Sequence, residues 1–150
     1  MSTASPISQE MPGQSNTYIL DASAVLRFLD KEAGYERVRE ILRNHSLGSC
    51  QAVVCALHWG EVALTLARRH GPVHQAQIIG ELLLLGLEII PATGERAVRS
   101  ALLKARLGIP YLDAFGVELA CDSPEHCFVT ADFDVKPAVG EVQIEFLPTK

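Results

Sequence analysis

Apolar and polar positions alternate along the chain in a way that predicts short strands separated by amphipathic helices. β-Favouring residues at positions 17–20 pass directly into good helix formers at 22–29. At positions 35–44, apolar side chains recur at helical spacing with charged side chains between them, which is typical of an amphipathic helix. The first part of the chain is therefore predicted to be a strand followed by two helices.

The central part of the chain is predicted to contain two helices flanked by brief strands. We expect the strands at residues 48–50 and 88–91, and the helices at 53–70 and 72–85. Gly71-Pro72 should separate the two helices, because glycine followed by proline is a strong helix stop signal.

A further helix is predicted between Thr93 and Leu107. Thr93 has a side chain suited to cap the helix, and Gly108 and Pro110 follow its end. Helical spacing selects five residues for the buried face: Ala97, Val98, Ala101, Leu102 and Ala105. We expect this apolar face to pack against the core.

The remaining pattern predicts one helix and two strands. The helix is expected at residues 112–121, where Gly116 and Ala120 provide a face of small residues that can approach the sheet closely. The strands are expected at 127–130 and 142–147, the last at a sheet edge. Strands separated by helices require crossover connections, so we predict an α/β fold with a mainly parallel central sheet and helices on both faces.

Composition narrows the classes of protein that the chain can represent. With 150 residues, 48% of them hydrophobic, it is long and apolar enough for one folded domain. Residues 1–16 are rich in Ser, Pro and Gln without the pattern of a secretory signal, so we expect a flexible tail, a domain at 17–150 and a cytoplasmic protein. The apolar run at 78–90 is interrupted by Gly and Glu, which argues against a membrane span. The net charge of −5 argues against stable binding of duplex nucleic acid.

The cysteines allow two interpretations. Cys50, Cys55, Cys121 and Cys127 form no C-x-x-C pair and have apolar neighbours, which favours buried free thiols. A zinc site that uses Cys121, His126 and Cys127 is the alternative. We favour the thiols, because Cys127 begins a predicted strand where its side chain should point into the core.

Three aspartates lie where predicted strands end or helices begin. Asp21 follows the first strand, Asp132 follows the strand that ends at Thr130, and Asp113 opens a helix. Each has an ordinary explanation, because Asp is a preferred helix cap and a common turn residue. Since ligands of such sheets bind beyond the carboxyl ends of the strands, the same positions also make these aspartates candidates for one site.

Glu61 is less easily explained by an ordinary role. It shares a predicted helical stripe with Val54, Leu57 and Leu64, so we expect its carboxylate to point inward. A buried carboxylate needs a compensating partner, which is either a metal ion or a salt bridge. Three arginines are available for a salt bridge: Arg27, Arg68 and Arg69.

Several carboxylates gathered in one pocket repel one another unless a cation compensates their charge. Hard oxygen ligands suit Mg²⁺ or Mn²⁺. A cation held in this way activates water and stabilises the charge that develops on a scissile phosphate. The residues by themselves therefore predict a metal-dependent site for phosphodiester hydrolysis.

The order of these pieces resembles the PIN-domain nucleases, and particularly the VapC-type toxins of toxin–antitoxin pairs. The matching segments are Tyr18-Ile-Leu-Asp-Ala-Ser23, Glu61-Val62, Leu112-Asp-Ala114 and Val129-Thr-Ala-Asp132. Each segment is weakly specific alone, but their order and spacing together are specific, and the resemblance extends from Thr17 to Leu147. It implies a PIN-like three-layer sandwich.

The resemblance also implies a site, a cofactor and partners. The catalytic and metal-binding residues that it implies are Asp21, Glu61, Asp113 and Asp132, with Asp134 as a further candidate ligand and Ser23 and Thr130 as supporting hydroxyl groups. Proteins of this type cut RNA with Mg²⁺ or Mn²⁺ and an activated water. They are generally homodimers that a cognate VapB-like antitoxin inhibits.

Two other functions stay open at the level of sequence. One is a PIN nuclease that processes RNA without an antitoxin, and the other is a catalytically inactive PIN domain that only binds. Because all four acidic positions are present, the inactive domain ranks last.

His58 and Trp59, which precede Glu61 in the chain, depart from the family pattern. His58 lies three residues before Glu61, so it could face the pocket, but a buried packing histidine is the preferred interpretation. Trp59 could stack a base, whereas a core or dimer-interface contact is preferred. We assign neither residue to the site.

Overall fold

Five parallel strands form one central sheet in the computed structural model, which describes residues 16–150. The strands are β1 (Thr17–Leu20), β2 (Gln51–Cys55), β3 (Glu88–Ile90), β4 (His126–Thr130) and β5 (Gln143–Phe146). Their order across the sheet is β3-β2-β1-β4-β5, which places β1 at the centre and β5 at one edge. All neighbouring strands are parallel, so each connection crosses over a face of the sheet.

Helices cover both faces of the sheet. They are α1 (Ala22–Asp30), α2 (Tyr35–Ser46), α3 (Ala56–Leu84), α4 (Gly94–Leu107) and α5 (Tyr111–Ala120), together with a 3-10 helix at Phe133–Ala138. Helices α1, α2 and α3 share one hydrophobic core with Leu20 and Val129, whereas α4 and α5 share a second core with Ile19 and Phe128. Successive strand residues thus serve opposite faces, and the predicted α/β sandwich is confirmed.

The second strand lies later in the chain than predicted. The expected strand at 48–50 and the expected helix start at Val53 are wrong, because Gln51–Cys55 forms β2 and α3 begins at Ala56. Val53 and Val54 are both buried, one in each core, where β2 lies between β1 and β3. Periodicity alone does not distinguish such a short, fully buried apolar strand from a helical turn.

Gly71 divides α3 into two helical segments, as the Gly71-Pro72 pair predicted. Its φ of 83° and ψ of 169° are non-helical. Glycine adopts a positive φ without the steric cost that other residues incur, and the following proline ring fits the start of a helix. The break therefore separates the segment that carries Glu61 from the one that ends at Leu84.

The buried face of α4 differs from the predicted one. Four of the five residues expected to be buried are exposed: Val98, Ala101, Leu102 and Ala105. Ser100 and Leu103 are buried in their place. Arg96 and Arg99 donate to the buried carboxylate of Glu118 in α5, at 2.7 and 2.8 Å. The side of α4 that faces α5 therefore combines these ion pairs with apolar contacts of Leu103.

Helix α5 begins earlier than predicted. Tyr111 is its first residue and Pro110 occupies the cap position, so Asp113 lies in the first turn and not at the cap. The predicted close approach to the sheet is confirmed at Gly116, where an added Cβ would lie 2.1 Å from Cε1 of Phe128. This contact brings the start of α5, and Asp113 with it, close to the central strands.

The ends of the described chain are tied to the sheet. The backbone of Asn16 donates to Glu125 and accepts from Gln51, so Asn16 joins β2 and β4 at their amino ends. The other fifteen residues of the expected tail lie outside the described residues. β5 is an edge strand as predicted. Within residues 16–150, none of the helices has the length and apolar character needed to span a bilayer.

Substituting Gly116 with alanine tests the contact between α5 and the sheet. We expect Gly116→Ala to destabilise the fold by roughly 1–3 kcal/mol, because the new methyl group must displace Phe128 or shift the helix. Gly60→Ala is the matched control, since Gly60 also lies in a helix and its Cβ would meet nothing within 4 Å. Denaturant unfolding should show no loss of stability for the control. Equal stability of the two variants would contradict the close packing.

Candidate active site

Two predicted acidic residues meet at the carboxyl ends of neighbouring strands. Asp21 follows β1, and Asp132 lies two residues beyond the end of β4. The parallel register pairs Leu20 with Val129, so the segments that leave the two strands are neighbours. The topology therefore places both carboxylates at one edge of the sheet, where ligands of open parallel sheets bind.

Hydrogen bonds hold the Asp21 carboxylate in place. Asp21 is only 4% exposed and accepts from the Ser23 hydroxyl at 2.6 Å, the Thr130 hydroxyl at 2.5 Å and the Ala24 amide at 2.9 Å. Burial raises the pKa of Asp21, while these three hydrogen bonds lower it in part. The amide contact is the helix cap expected from sequence, and the hydroxyl contacts show that Ser23 and Thr130 support this side chain.

The same two hydroxyl groups also organise the loop after β4. Ser23 Oγ accepts from the amide of Ala131, and Thr130 Oγ1 accepts from the amide of Asp132, both at 2.9 Å. Asp132 in turn accepts from the amide of Asp134 at 2.9 Å and so begins the 3-10 helix. Each hydroxyl therefore joins Asp21 to the loop that carries Asp132.

Asp113 is a second buried carboxyl group of the cluster whose pKa is raised. Burial, a hydrogen bond with Asp132 and the negative charges of Asp132, Asp21 and Glu61 together raise the pKa of Asp113 to about 8. Its Oδ2 atom is buried and has no hydrogen-bond partner among the described residues. At neutral pH the Asp113 carboxyl group therefore keeps a proton, because the site without a cation does not stabilise its charge.

Glu61 completes the cluster from α3. Burial raises the pKa of its carboxyl group, the nearby charge of His58 lowers it, and the charge of Asp21 raises it further. Glu61 is half-buried, and the predicted stripe does not form, because Val54 belongs to β2 and Leu64 is 49% exposed. The alternative of a salt bridge finds no support, since no arginine among residues 16–150 pairs with Glu61.

His58 connects the two helices that carry Glu61 and Asp113. It is 1% exposed, and its Nε2 donates to the carbonyl oxygen of Leu112 at 2.8 Å. Its Nδ1 is buried and has no partner among the described residues. The preferred interpretation as a buried histidine is therefore correct, but the residue also contributes to the electrostatics of the site through Asp21 and Glu61. Its position three residues before Glu61 was the available signal.

Two other candidates lie outside the cluster. Asp134 is exposed, and the hydrogen bond that joins it to Asp132 comes from its backbone amide. Trp59 packs against the core formed by α1, α2 and α3, in agreement with the preferred interpretation. The carboxylate cluster therefore consists of Asp21, Glu61, Asp113 and Asp132.

The cysteines differ in part from the prediction. Cys55 and Cys127 are buried and Cys50 is half-buried, whereas Cys121 is exposed. Cys121 follows the last residue of α5, where the chain turns away from the core. The expectation of a buried thiol is therefore wrong for Cys121.

The donor set of the cluster fits a hard divalent cation, although the side chains do not enclose one as they stand. Across residues 16–150, no three His, Cys, Asp or Glu side chains are arranged to hold a metal ion. Asp113 and Asp132 instead share a hydrogen bond, which raises the pKa of Asp113. The unpartnered Oδ2 of Asp113 is the kind of oxygen ligand that Mg²⁺ or Mn²⁺ binds.

The raised pKa of Asp113 predicts how stability changes with pH in metal-free protein. A carboxyl group with a raised pKa favours the folded state most below its ordinary pKa of 3.8, and this stability is lost as the pH rises toward about 8. Asp113→Asn should remove the loss, because an amide can replace the protonated carboxyl group as a donor to Asp132.

Denaturant unfolding in the presence of a chelator measures this effect. Asp113→Asn should be more stable than the unchanged protein at roughly pH 9, with a difference that shrinks toward about pH 5. Asp134→Asn, which removes an exposed neighbouring carboxylate, is the control. If the stabilities of Asp113→Asn and the unchanged protein change with pH in parallel, the raised pKa of Asp113 is contradicted.

Comparisons with known proteins agree with this fold. A family model of the PIN domain matches residues 18–137. Similar solved structures include a DNA-bound VapBC from Salmonella typhimurium, with a TM-score of 0.67, 14% identity, and coverage of 87% of this chain and 97% of that chain. VapBC2 from Rickettsia felis, bound to a promoter DNA fragment, has a TM-score of 0.64 and 16% identity, and covers 88% of this chain and 99% of its own.

A third similar structure is a toxin–antitoxin complex from Klebsiella pneumoniae, with a TM-score of 0.58, 15% identity, and coverage of 85% of this chain and 95% of that chain. A comparison with curated protein sequences gives no significant match. Because the sequence identities to the three structures are low, the likeness establishes a shared fold alone. Because the family model spans most of the sequence, the chain belongs to the PIN domain family.

Proposed function

We propose that the chain is a metal-dependent endoribonuclease that acts as the toxin of a type II toxin–antitoxin pair. The observation that carries the proposal is the Asp113 carboxyl group, which is surrounded by three other carboxylates and has a pKa raised to about 8. Such a concentration of negative charge destabilises a folded protein unless a cation compensates it. A site of this kind is therefore expected to have a function that requires the cation.

Four side chains would hold the cation: Asp21, Glu61, Asp113 and Asp132. When bound, Mg²⁺ or Mn²⁺ supplies the positive charge that activates water and balances the charge on the scissile phosphate. Asp134 is a candidate for an outer position, since it follows Asp132 by two residues and its carboxylate is exposed.

The residues of the chain have separate tasks in this proposal. Ser23 and Thr130 orient the Asp21 carboxylate through their hydroxyl groups. Asp113 and Asp132, which share a hydrogen bond, would both supply carboxylate oxygens to the cation, and Asp113 would do so in its ionised form. His58 holds the carbonyl of Leu112 and thereby fixes the first turn of α5 beside Asp113.

RNA as substrate and an antitoxin as partner are supported by the family and by the similar structures. The family model is that of the PIN domain, and two of the similar structures are VapBC complexes. The net charge of −5 disfavours stable binding of duplex nucleic acid. It is compatible with an enzyme that releases its product. A VapB-like antitoxin would inhibit the chain by covering the acidic edge.

A homodimer is supported by the exposed apolar residues of α4. Val98 and Leu102 are 63% and 65% exposed and lie one helical turn apart. Large apolar side chains that recur on one exposed helix face are typical of surfaces that bind another protein. A second copy of this chain is the proposed occupant.

Substituting Asp21 tests the proposed activity. Asp21→Asn should lower RNA cleavage by more than roughly 100-fold, because even residues that only orient metal ligands contribute about 10- to 100-fold. Cleavage of RNA is measured by gel with Mg²⁺, with Mn²⁺ and with a chelator. Asp122→Asn is the matched control, since Asp122 is exposed and pairs with Arg96 outside the cluster. Circular dichroism of both variants verifies that they are folded.

The result that would contradict the proposal is cleavage by Asp21→Asn at the rate of the unchanged protein. Cleavage that continues in the presence of a chelator would exclude the role of the cation. Loss of activity in both Asp21→Asn and Asp122→Asn would show that the effect is not specific to the cluster.

A further inference from the structure

An aromatic ring and a lysine lie beside the carboxylate cluster. Phe133 directly follows Asp132, opens the 3-10 helix and is 41% exposed. Its ring stacks on that of Phe146, with centroids 5.0 Å apart and an angle of 8° between the planes. The ammonium group of Lys136 lies 5.4 Å from the centroid of the Phe133 ring. A partly exposed ring and a cation therefore form one surface.

This surface lies on the same side of the sheet as the carboxylates. Phe146 pairs with Thr130 in the parallel register, and paired residues of neighbouring strands point to the same face. The Thr130 hydroxyl donates to Asp21, and Phe146 packs in the core that α5 covers. The Phe133 ring thus extends from the acidic edge along the face from which Asp113 enters the site.

Lys136 is available for an external anion. No carboxylate pairs with it among residues 16–150. Five arginines, in contrast, form ion pairs with carboxylates of the chain: Arg37, Arg69, Arg96, Arg99 and Arg106. An ammonium group that contacts an aromatic ring but no carboxylate, beside a ring that is partly exposed, offers the two contacts that a nucleotide needs, one for its phosphate and one for its base.

We propose that Phe133 and Lys136, supported by Phe146, form a nucleotide-binding subsite next to the carboxylate cluster. An unpaired base packs against the part of the Phe133 ring that Phe146 and Lys136 leave exposed, and the Lys136 ammonium group contacts the adjoining phosphate. This inference rests on the proposed ribonuclease function and specifies its substrate. Because a base must be unpaired to stack on a side chain, the RNA is single-stranded beside the bond that is cut.

A purely structural role for Phe133 makes a different prediction. If the ring only closes the core above Phe146, leucine should replace it with little effect on RNA, since leucine also covers apolar surface. If the ring stacks a base, leucine should weaken RNA binding while tryptophan preserves it. Comparison of the leucine and tryptophan variants therefore separates the two roles.

The experiment measures binding of a short, random-sequence, fluorescein-labelled single-stranded RNA in the presence of a chelator, so that no RNA is cut. We expect Phe133→Leu and Lys136→Gln each to weaken binding by roughly five- to tenfold, and Phe133→Trp to bind as the unchanged protein does. Binding of the same RNA annealed to its complement should not change. Tyr35→Leu is the matched control, because Tyr35 is paired with Arg39 in the same way but lies on α2, at the other face of the sheet.

Two results would overturn the subsite. One is unchanged binding of single-stranded RNA by Phe133→Leu and Lys136→Gln. The other is an equal loss of single-stranded and duplex binding, which would indicate a general effect of charge or folding. Lys136→Gln keeps the test decisive if Phe133→Leu fails to fold.

A parallel cleavage assay separates this inference from the proposed function. If the unchanged protein cuts no RNA, the proposed function fails, and the binding assay still decides the subsite. If it cuts RNA but Phe133→Leu has an unchanged KM, the subsite fails and the proposed function stands. A raised KM with an unchanged kcat in Phe133→Leu would support both the proposed function and the subsite.

Discussion

Repulsion among carboxylates at the carboxyl edge of the sheet is the constraint around which the rest of the structure is arranged. Asp21 is fixed by two hydroxyl groups and one amide, and Asp113 keeps a proton and shares it with Asp132. Each arrangement reduces the cost of placing negative charge where water is largely excluded. The same region leaves the Oδ2 atom of Asp113 buried without a hydrogen-bond partner among residues 16–150.

The fold positions these groups through contacts that lie away from the site. Gly116 allows α5 to approach β4, and the hydrogen bond from His58 to Leu112 joins α3 to the start of α5. At the other side of α5, Glu118 is held by Arg96 and Arg99. These ion pairs join α4 to α5. The acidic edge therefore depends on α5 being fixed on both sides.

Local sequence signals were sufficient for the order of elements and for the aspartates near strand ends. Asp21, for example, follows a β-favouring run and caps a helix, and both features are visible in the sequence. They were insufficient where tertiary contacts decide the outcome. The buried strand Gln51–Cys55 has no distinctive period, and the exposed face of α4 depends on ion pairs with a residue 19 to 22 positions away. The shared proton of Asp113 depends on residues far apart in the chain and has no local signal.

The central claim is that the four carboxylates bind one kind of hard cation and that Asp113 must lose a proton when they do. Calorimetric titration with Mn²⁺ in buffers of different ionisation enthalpy measures that proton directly. The account predicts release of protons on Mn²⁺ binding near neutral pH, and less release at a pH well above about 8, where Asp113 is already ionised. Absence of Mn²⁺ binding, or binding with no proton release near neutral pH, would contradict it.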